Sequence, residues 1–291
     1  TKSSIPEYIE EKTGGRFAAG DVVCIPLEMT RALDFDGIEN KLMGLNGFQK
    51  VCVNAIDYCD IKVFAIALYR AMAKGKTFVF RTAAGLVKVM GGISDRPLLT
   101  RREMVTLPTA NGGLVVVGSH TQKTTAQLES LLTLEGIAAI PFNSDLVMEG
   151  EAAFNREVDR CVALEEQAIA KGKTAVCYTS RTLLSLPGDT KESALARSMK
   201  ISDGVQCLVS RLKEAPAFII AKGGITSSDI GTKALKVERA NVMGQICPGI
   251  PVWQTGPESR FPMTPYVIFP GNVGDASTLK EAVVTLTESH P

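Results

Sequence analysis

Three short stretches of the chain join small residues to hydroxyls in the order an anion requires. In the first, PAFIIAKGGITSSDIGTKA over residues 216–234, an apolar and β-branched run meets Gly223 and Gly224, and Thr226, Ser227 and Ser228 follow as helix N-cap residues. A strand, a glycine turn and a helix N-terminus bring free amides and the positive end of a helix dipole to one point, which is the chemistry of a phosphate cradle. An ordinary strand-to-helix loop has the same outline, so the stretch does not decide the matter alone. In the second, Gly118-Ser119 follows Leu114-Val115-Val116-Val117. Ser119 there either meets a phosphate or ribose or only caps the next helix. In the third, Gly271-Asn272-Val273-Gly274 follows Tyr266-Val267-Ile268-Phe269, and Asn272 tolerates left-handed backbone. None of the three matches GxxxxGK[ST] or a strict GxGxxG, so neither a P-loop nor a dinucleotide fold is expected.

Other reactive residues are sparse. Lys222 precedes the first glycine pair, and Asp229 and Asp275 either hold Mg²⁺ through water or satisfy helix-start amides. Arg81 and Thr82 follow a run with strand composition at 77–80, where the arginine could grip a carboxylate or merely bond loop carbonyls. With only His120 and His290, a zinc site or histidine-based triad is not expected, and no metal-ligating residue or catalytic base stands out. Seven cysteines without a CxxC pair read as reduced thiols, which places the protein in the cytoplasm as an expectation. Lys+Arg 32 against Asp+Glu 31 lacks the basic excess of a nucleic-acid or anionic-membrane surface. No apolar run approaches the roughly 20 residues of a membrane span.

The elements that must position these residues alternate. Strands are expected at 22–26, 51–55 and 77–80, with helical pieces at 29–43 and a helix at 61–73. The turn-rich stretch 96–112 reads as a linker. Beyond it strands at 114–117, 137–141, 173–178, 217–221 and 266–269 alternate with helices at 124–134, 149–171, 191–212, 229–235 and 277–286, and 240–253 reads as short strands with tight turns. The fold class is therefore α/β: two domains on mainly parallel sheets with helices on both faces, spanning 1–95 and 113–291. In a parallel sheet the three glycine-bearing junctions share one edge, where open α/β sheets bind ligands.

These residues also carry a resemblance. AKGGITSSDI (221–230), MGQICPGIPVW (243–253) and FPGNVGDASTLKEAV (269–283) resemble signature blocks of the four-carbon acid sugar kinase family, and VVVGSHTQKTTAQL (115–128) and FVFRTAAGLVKVMGGI (78–93) fit it too. The resemblance implies an ATP- and Mg²⁺-dependent kinase acting on a terminal hydroxyl of a tetronate such as threonate, erythronate or a 3-oxo-tetronate. It implies an acid-sugar domain followed by a nucleotide domain, with Ser119, Gly223, Gly224, Ile225, Thr226, Gly271, Asn272, Val273 and Gly274 contacting ATP and Gly244 lying near it. Arg81 and Thr82 would then face the acid sugar, and a homodimer is compatible with the reading. The family's DDLTGA-like and KxDSTLRG-like motifs do not occur here. The expectation is thus a fragment with a truncated acid-sugar domain, inactive by itself; the alternative is a non-catalytic nucleotide-binding regulatory or effector module.

Overall fold

A computed structural model describes residues 3–182 and 184–287; His290 lies outside the described residues. The chain divides into two compact units, Thr1–Asp95 and Arg96–Pro291.

The first unit runs α1 (Ile5–Lys12), β1 (Val23–Ile25), α2 (Leu27–Arg31), α3 (Phe35–Met43), β2 (Val51–Val53), α4 (Tyr58–Ala73) and α5 (Ala84–Met90). Its sheet is one parallel pair, β1 with β2. Helix α4 starts three residues before its apolar periodicity because Asp57 and Asp60 form a reciprocal capping box that satisfies the first-turn amides. Ile25, Ile38, Leu42, Phe64 and Leu68 make the core between α3, α4 and the strands.

The strand expected at 77–80 does not form. Val79 is 85% exposed there. Phe78 and Phe80 lean together at 6.3 Å instead. Aromatic and β-branched composition favours a strand only where a neighbouring strand offers a ladder, and none lies beside these residues. Arg81 and Thr82 consequently stand in exposed coil and not at a strand end. The Arg81 guanidinium sits 5.6 Å from the Tyr8 ring centroid, and the Thr82 hydroxyl donates to Ala83 O.

The second unit comprises α6 (Arg101–Met104), β3 (Leu114–Val117), α7 (Gln122–Leu131), β4 (Ile137–Phe142), α8 (Glu151–Ala170), β5 (Thr174–Thr179), α9 (Lys191–Ser210), β6 (Ile219–Lys222), α10 (Gly224–Asp229), β7 (Ala240–Cys247), β8 (Ile250–Thr255), β9 (Pro265–Phe269) and α11 (Thr278–Thr287). Seven strands order as β4-β5-β3-β6-β9-β8-β7. The first five are parallel, and β7 and β8 add an antiparallel hairpin edge.

Both faces of this sheet are covered, which is why its central strands read as unbroken apolar runs. Leu114, Val116, Ile219, Ala221 and Tyr266 point into a core with α8 and α9. Val115, Val117, Ile220, Val267 and Phe269 point the other way, against Leu128 and Leu131 of α7 and Leu279 and Val283 of α11.

The stretch expected to link the domains, 96–112, instead belongs to the second unit. Leu99 and Met104 are buried in the α7/α11-side core. Leu99 N donates to Gln245 O at 2.8 Å and Arg96 Nη1 to Met243 O at 2.6 Å, so the segment caps part of the open edge of β7. Its turn-rich composition reflects a chain that follows another strand's edge without forming a ladder of its own.

Candidate functional site

Strands β3, β6 and β9 lie side by side, so the three glycine-bearing junctions meet at one carboxyl edge. The chain leaves that edge in opposite directions. Helices α7 and α11, after β3 and β9, pack on one face, whereas the helical segment after β6 contributes Ile230 and Ala234 to the core on the other. Loops that diverge this way leave a crevice between them, the place where open α/β sheets take their ligands.

The two glycines after β6 have different jobs. Gly223 has φ +127°, a conformation that side chains rarely adopt, and a Cβ there would press on Thr226 and Ser119. Gly224 has ordinary φ, and a Cβ there would meet nothing within 4 Å. Its lack of a side chain therefore leaves space open at the start of α10. No side chain caps that helix start; Ser227, buried, turns inward with its hydroxyl 2.7 Å from both Ala221 O and Gly223 O. Tyr266 fixes the same turn by donating to Ser227 O at 2.6 Å. From Ile230 to Ala234 the helix widens into a π turn, a local irregularity that recurs near functional sites.

Close approach joins the first two junctions. A Cβ on Gly118 would fall 2.2 Å from Thr226 Oγ1, so only glycine lets the β3 loop lie against the β6 turn. Thr124, buried on α7, joins the first and third, with its hydroxyl 3.2 Å from Ser119 Oγ and 3.5 Å from Gly271 O. Gln127, one turn on, donates to Val273 O and Asp275 O. Ser119, Gly223, Gly224, Thr226, Gly271 and Val273 are thus drawn into one cluster. Asn272 and Ile225 stand exposed at its rim. Gly274 has φ +81° and turns the chain into the cap of α11.

Three cations surround the cluster, and each is held by backbone carbonyls. Lys222, fully buried at the end of β6, donates to Pro270 O at 2.7 Å and lies 4.0 Å from the Phe269 ring centroid. Burial, helped by repulsion from Lys123, brings its pKa down to about 8. Lys123 donates to Asn272 O and Gly274 O. Arg181, just beyond β5, donates to Ser119 O, Thr179 O, Thr179 Oγ1 and Val117 O. Among the described residues none of these three has a carboxylate partner. The crevice is therefore electrically prepared for a polyanion.

Composition alone did not single out Lys123, Thr124, Gln127 or Arg181. A buried hydroxyl and amide at 124 and 127, on the same helical face as Leu128 and Leu131, are the only trace these contacts leave in the sequence.

Gly244 is not part of this cluster. It lies in β7, two strands beyond β9, with φ +144° and Leu99 packed 3.4 Å from where its Cβ would be. Asp229 accepts from Ser202 and pairs with Lys233, and Asp275 caps α11 by accepting from Ser277 and Thr278. Asp275 therefore serves a helix start, whereas Asp229 satisfies no helix-start amide and is taken up by side chains of α9 and of its own helical segment. His120 is exposed on the turn before α7. All described cysteines are free, with Cys161, Cys177 and Cys247 buried. Among the described residues no group of three or more His, Cys, Asp or Glu could hold a metal ion, and no helix is long and apolar enough to cross a membrane.

An open, doubly wound α/β unit with an anion-ready crevice at its topological switch is a nucleotide-binding domain in class. Residues 114–279 match the family described as the nucleotide-binding C-terminal domain, and the chain belongs to that family, the nucleotide half of the four-carbon acid sugar kinases. No curated protein matches the sequence.

Among solved structures, the chain is similar to a Salmonella typhimurium LT2 protein provisionally named a tRNA synthase, with a TM-score of 0.64 and 14% identity over 90% of this chain and 59% of that one. It is also similar to a domain of unknown function from Bordetella bronchiseptica, solved with bound citrate as a domain-swapped dimer, with a TM-score of 0.48 and 18% identity over 99% of this chain and 62% of that one. The chain thus spans about three fifths of the length of these structures.

Proposed function

We propose that this chain supplies the ATP-binding half of a kinase that phosphorylates a terminal hydroxyl of a four-carbon acid sugar of the threonate, erythronate or 3-oxo-tetronate type. One observation carries the reading: within a domain of the nucleotide-binding family, three glycine-bearing loops converge on a crevice ringed by Lys222, Lys123 and Arg181, cations without acidic partners among the described residues.

Phosphoryl transfer asks a protein mainly for positioning and for stabilisation of charge on the transferred oxygens. The amides at the start of α10 and in the 271–274 turn, with the Ser119 hydroxyl, would orient the phosphates. The buried Lys222 amine, fixed against Pro270 O, would place positive charge that needs no reorganisation as negative charge shifts toward the leaving oxygen. Mg²⁺ would arrive on the phosphates, because Asp229 is engaged by Ser202 and Lys233 and Asp275 by the start of α11. The motifs the family is expected to use for the acid sugar are absent from the sequence, so the chain is assigned the donor side of the transfer.

Thermal shift with ATP and ADP, with and without Mg²⁺, tests the donor side, and turnover of a tetronate panel by the full-length protein tests the acceptor side. No stabilisation by either nucleotide overturns the nucleotide reading. Stabilisation without phosphorylation of any tetronate overturns the kinase and leaves a nucleotide-sensing module.

A further inference from the structure

Beside the crevice, on the α8/α9 side of the sheet, the carboxyl ends of β4 and β5 border an open cleft of about 440 Å³. Its walls include Phe142, Asn143, Glu157, Arg160, Ser180 and Arg181. That volume lies within the few hundred Å³ typical of small-molecule sites.

The cleft differs from the crevice in its electrostatics. Glu157 and Arg160 neutralise each other through two hydrogen bonds, from Nε at 2.7 Å and from Nη2 at 2.7 Å, and Glu157 also accepts from Asn143 N. This pairing holds the Glu157 carboxyl below its usual range, Arg160 contributing most. The Glu157–Arg160 pair is therefore charge-balanced, with Phe142 beside it, and Arg181 adds a single positive charge to the cleft wall, while the crevice has three cations about it without acidic partners among the described residues. Arg181 belongs to both: it lines the cleft, and it holds the carbonyl of Ser119 at 2.7 Å. The two spaces are thus neighbours across one side chain. A ligand that is polyanionic at one end and neutral at the other matches this pair of environments.

Two polar side chains remain to read a neutral group. The Ser180 hydroxyl makes no hydrogen bond among the described residues. Asn143 uses its side-chain oxygen on Asp145 N, which leaves its amide NH₂ as a donor.

We infer that the cleft at the ends of β4 and β5 is the nucleoside subsite, taking the base and ribose of a nucleotide whose phosphates occupy the crevice. The inference rests on the nucleotide reading above and adds a direction to it: the nucleotide lies from β9 and β6 across β3 toward β5 and β4, with Arg181 under the junction of ribose and phosphates. Ser180 and Asn143 then contact the nucleoside, and the opposite side of the sheet, over β8 and β7, is left to other partners.

Isothermal titration of the intact chain with ATP and with inorganic tripolyphosphate separates the subsite from the crevice. Ser180→Trp fills the cleft and is expected to weaken ATP at least tenfold while tripolyphosphate stays within twofold of wild type. Ser180→Ala, which removes one oxygen and adds no bulk, is expected to weaken ATP about threefold with tripolyphosphate unchanged, and carries the test alone if the tryptophan variant does not fold. Unchanged ATP affinity in the folded variants, or parallel weakening of both ligands, overturns the subsite. A wild-type chain that binds neither ligand overturns the nucleotide reading, whereas tripolyphosphate binding without any advantage for ATP overturns the subsite alone.

Discussion

Gly224 illustrates how a residue's absence of a side chain can be a property of a site and not of the fold. Its φ is ordinary and a Cβ there would meet open space, in contrast to Gly118 and Gly223, where a side chain would strike Thr226 or force a strained backbone. Gly224→Val should therefore leave the unliganded melting temperature within about 2 °C of wild type, a change of no more than about 1 kcal/mol. On the proposed function it should also abolish the rise expected with ATP, because the added methyls would occupy the space proposed for a phosphate. Retention of the full ATP shift in a differential scanning measurement would remove the 223–226 turn from the site.

Lys222 makes a second argument at the same scale. Its pKa falls from 10.5 to about 8 on folding. Between those values the unfolded chain holds a proton that the folded chain has released, so stability should rise with pH across that window. Binding runs the other way. A polyphosphate prefers the ammonium form, so ATP affinity should fall several-fold between pH 7 and 9. Lys222→Arg, charged throughout, should flatten that profile, which titration at several pH values will show.

At the scale of elements, α8 carries an opposed pair of solutions to charge on its inner face. Glu157 is matched by Arg160, but two turns on Glu165 is fully buried against the core and its carboxylate oxygens find no partner among the described residues. Burial drives its pKa well up, and the nearby Cys177 thiol offsets only part of that. A raised folded pKa means stability that is full below the unfolded value of about 4.3 and lost as pH rises above it. Glu165→Met should therefore raise stability at pH 7 by about 1–3 kcal/mol, the cost of an unsatisfied buried group. It should also remove part of the loss seen between pH 4 and 7. Urea unfolding at both pH values measures this, and equal stability of the variant and wild type at pH 7 would count against a desolvated Glu165.

Helix α7 is the element that the site depends on most. Its leucines follow an ordinary amphipathic pattern, and Leu128 and Leu131 enter the core. Thr124 and Gln127 occupy the same buried face one turn earlier and spend their hydrogen bonds on the loop after β9. A helix can lend polar residues to a neighbouring loop only where its first turn runs past the sheet edge. That geometry is tertiary, and in the sequence it leaves only a threonine and a glutamine four residues ahead of two core leucines.

For the whole molecule, the second unit contains its own two cores, one on each face of the seven-stranded sheet, together with all three junctions. Residues 96–291 should therefore fold alone and bind ATP within about twofold of the intact chain, as circular dichroism and titration can establish. Starting instead at residue 113 should cost several kcal/mol, because Leu99 and Met104 leave the core and the carbonyls of β7 lose their partners. Equal stability of the two truncations would restore 96–112 to the status of a linker.

The sequence by itself determined the α/β class of the second unit, the positions of its strands, and the kinship of the three glycine-bearing turns. Burial on both faces imposes continuous apolar runs, and phosphate-sized turns impose glycine, so both leave local marks. Tertiary structure alone decided that 77–80 pairs with nothing, that 96–112 joins the second core, and that Gly244 stands apart from the other glycines. It also decided that Lys222, Lys123 and Arg181, spread over about a hundred residues, stand around one crevice. Strand pairing, edge covering and charge clustering are relations between distant segments. Their energy depends on which strand lies next to which, and the order β4-β5-β3-β6-β9-β8-β7 is written in no single stretch of the chain.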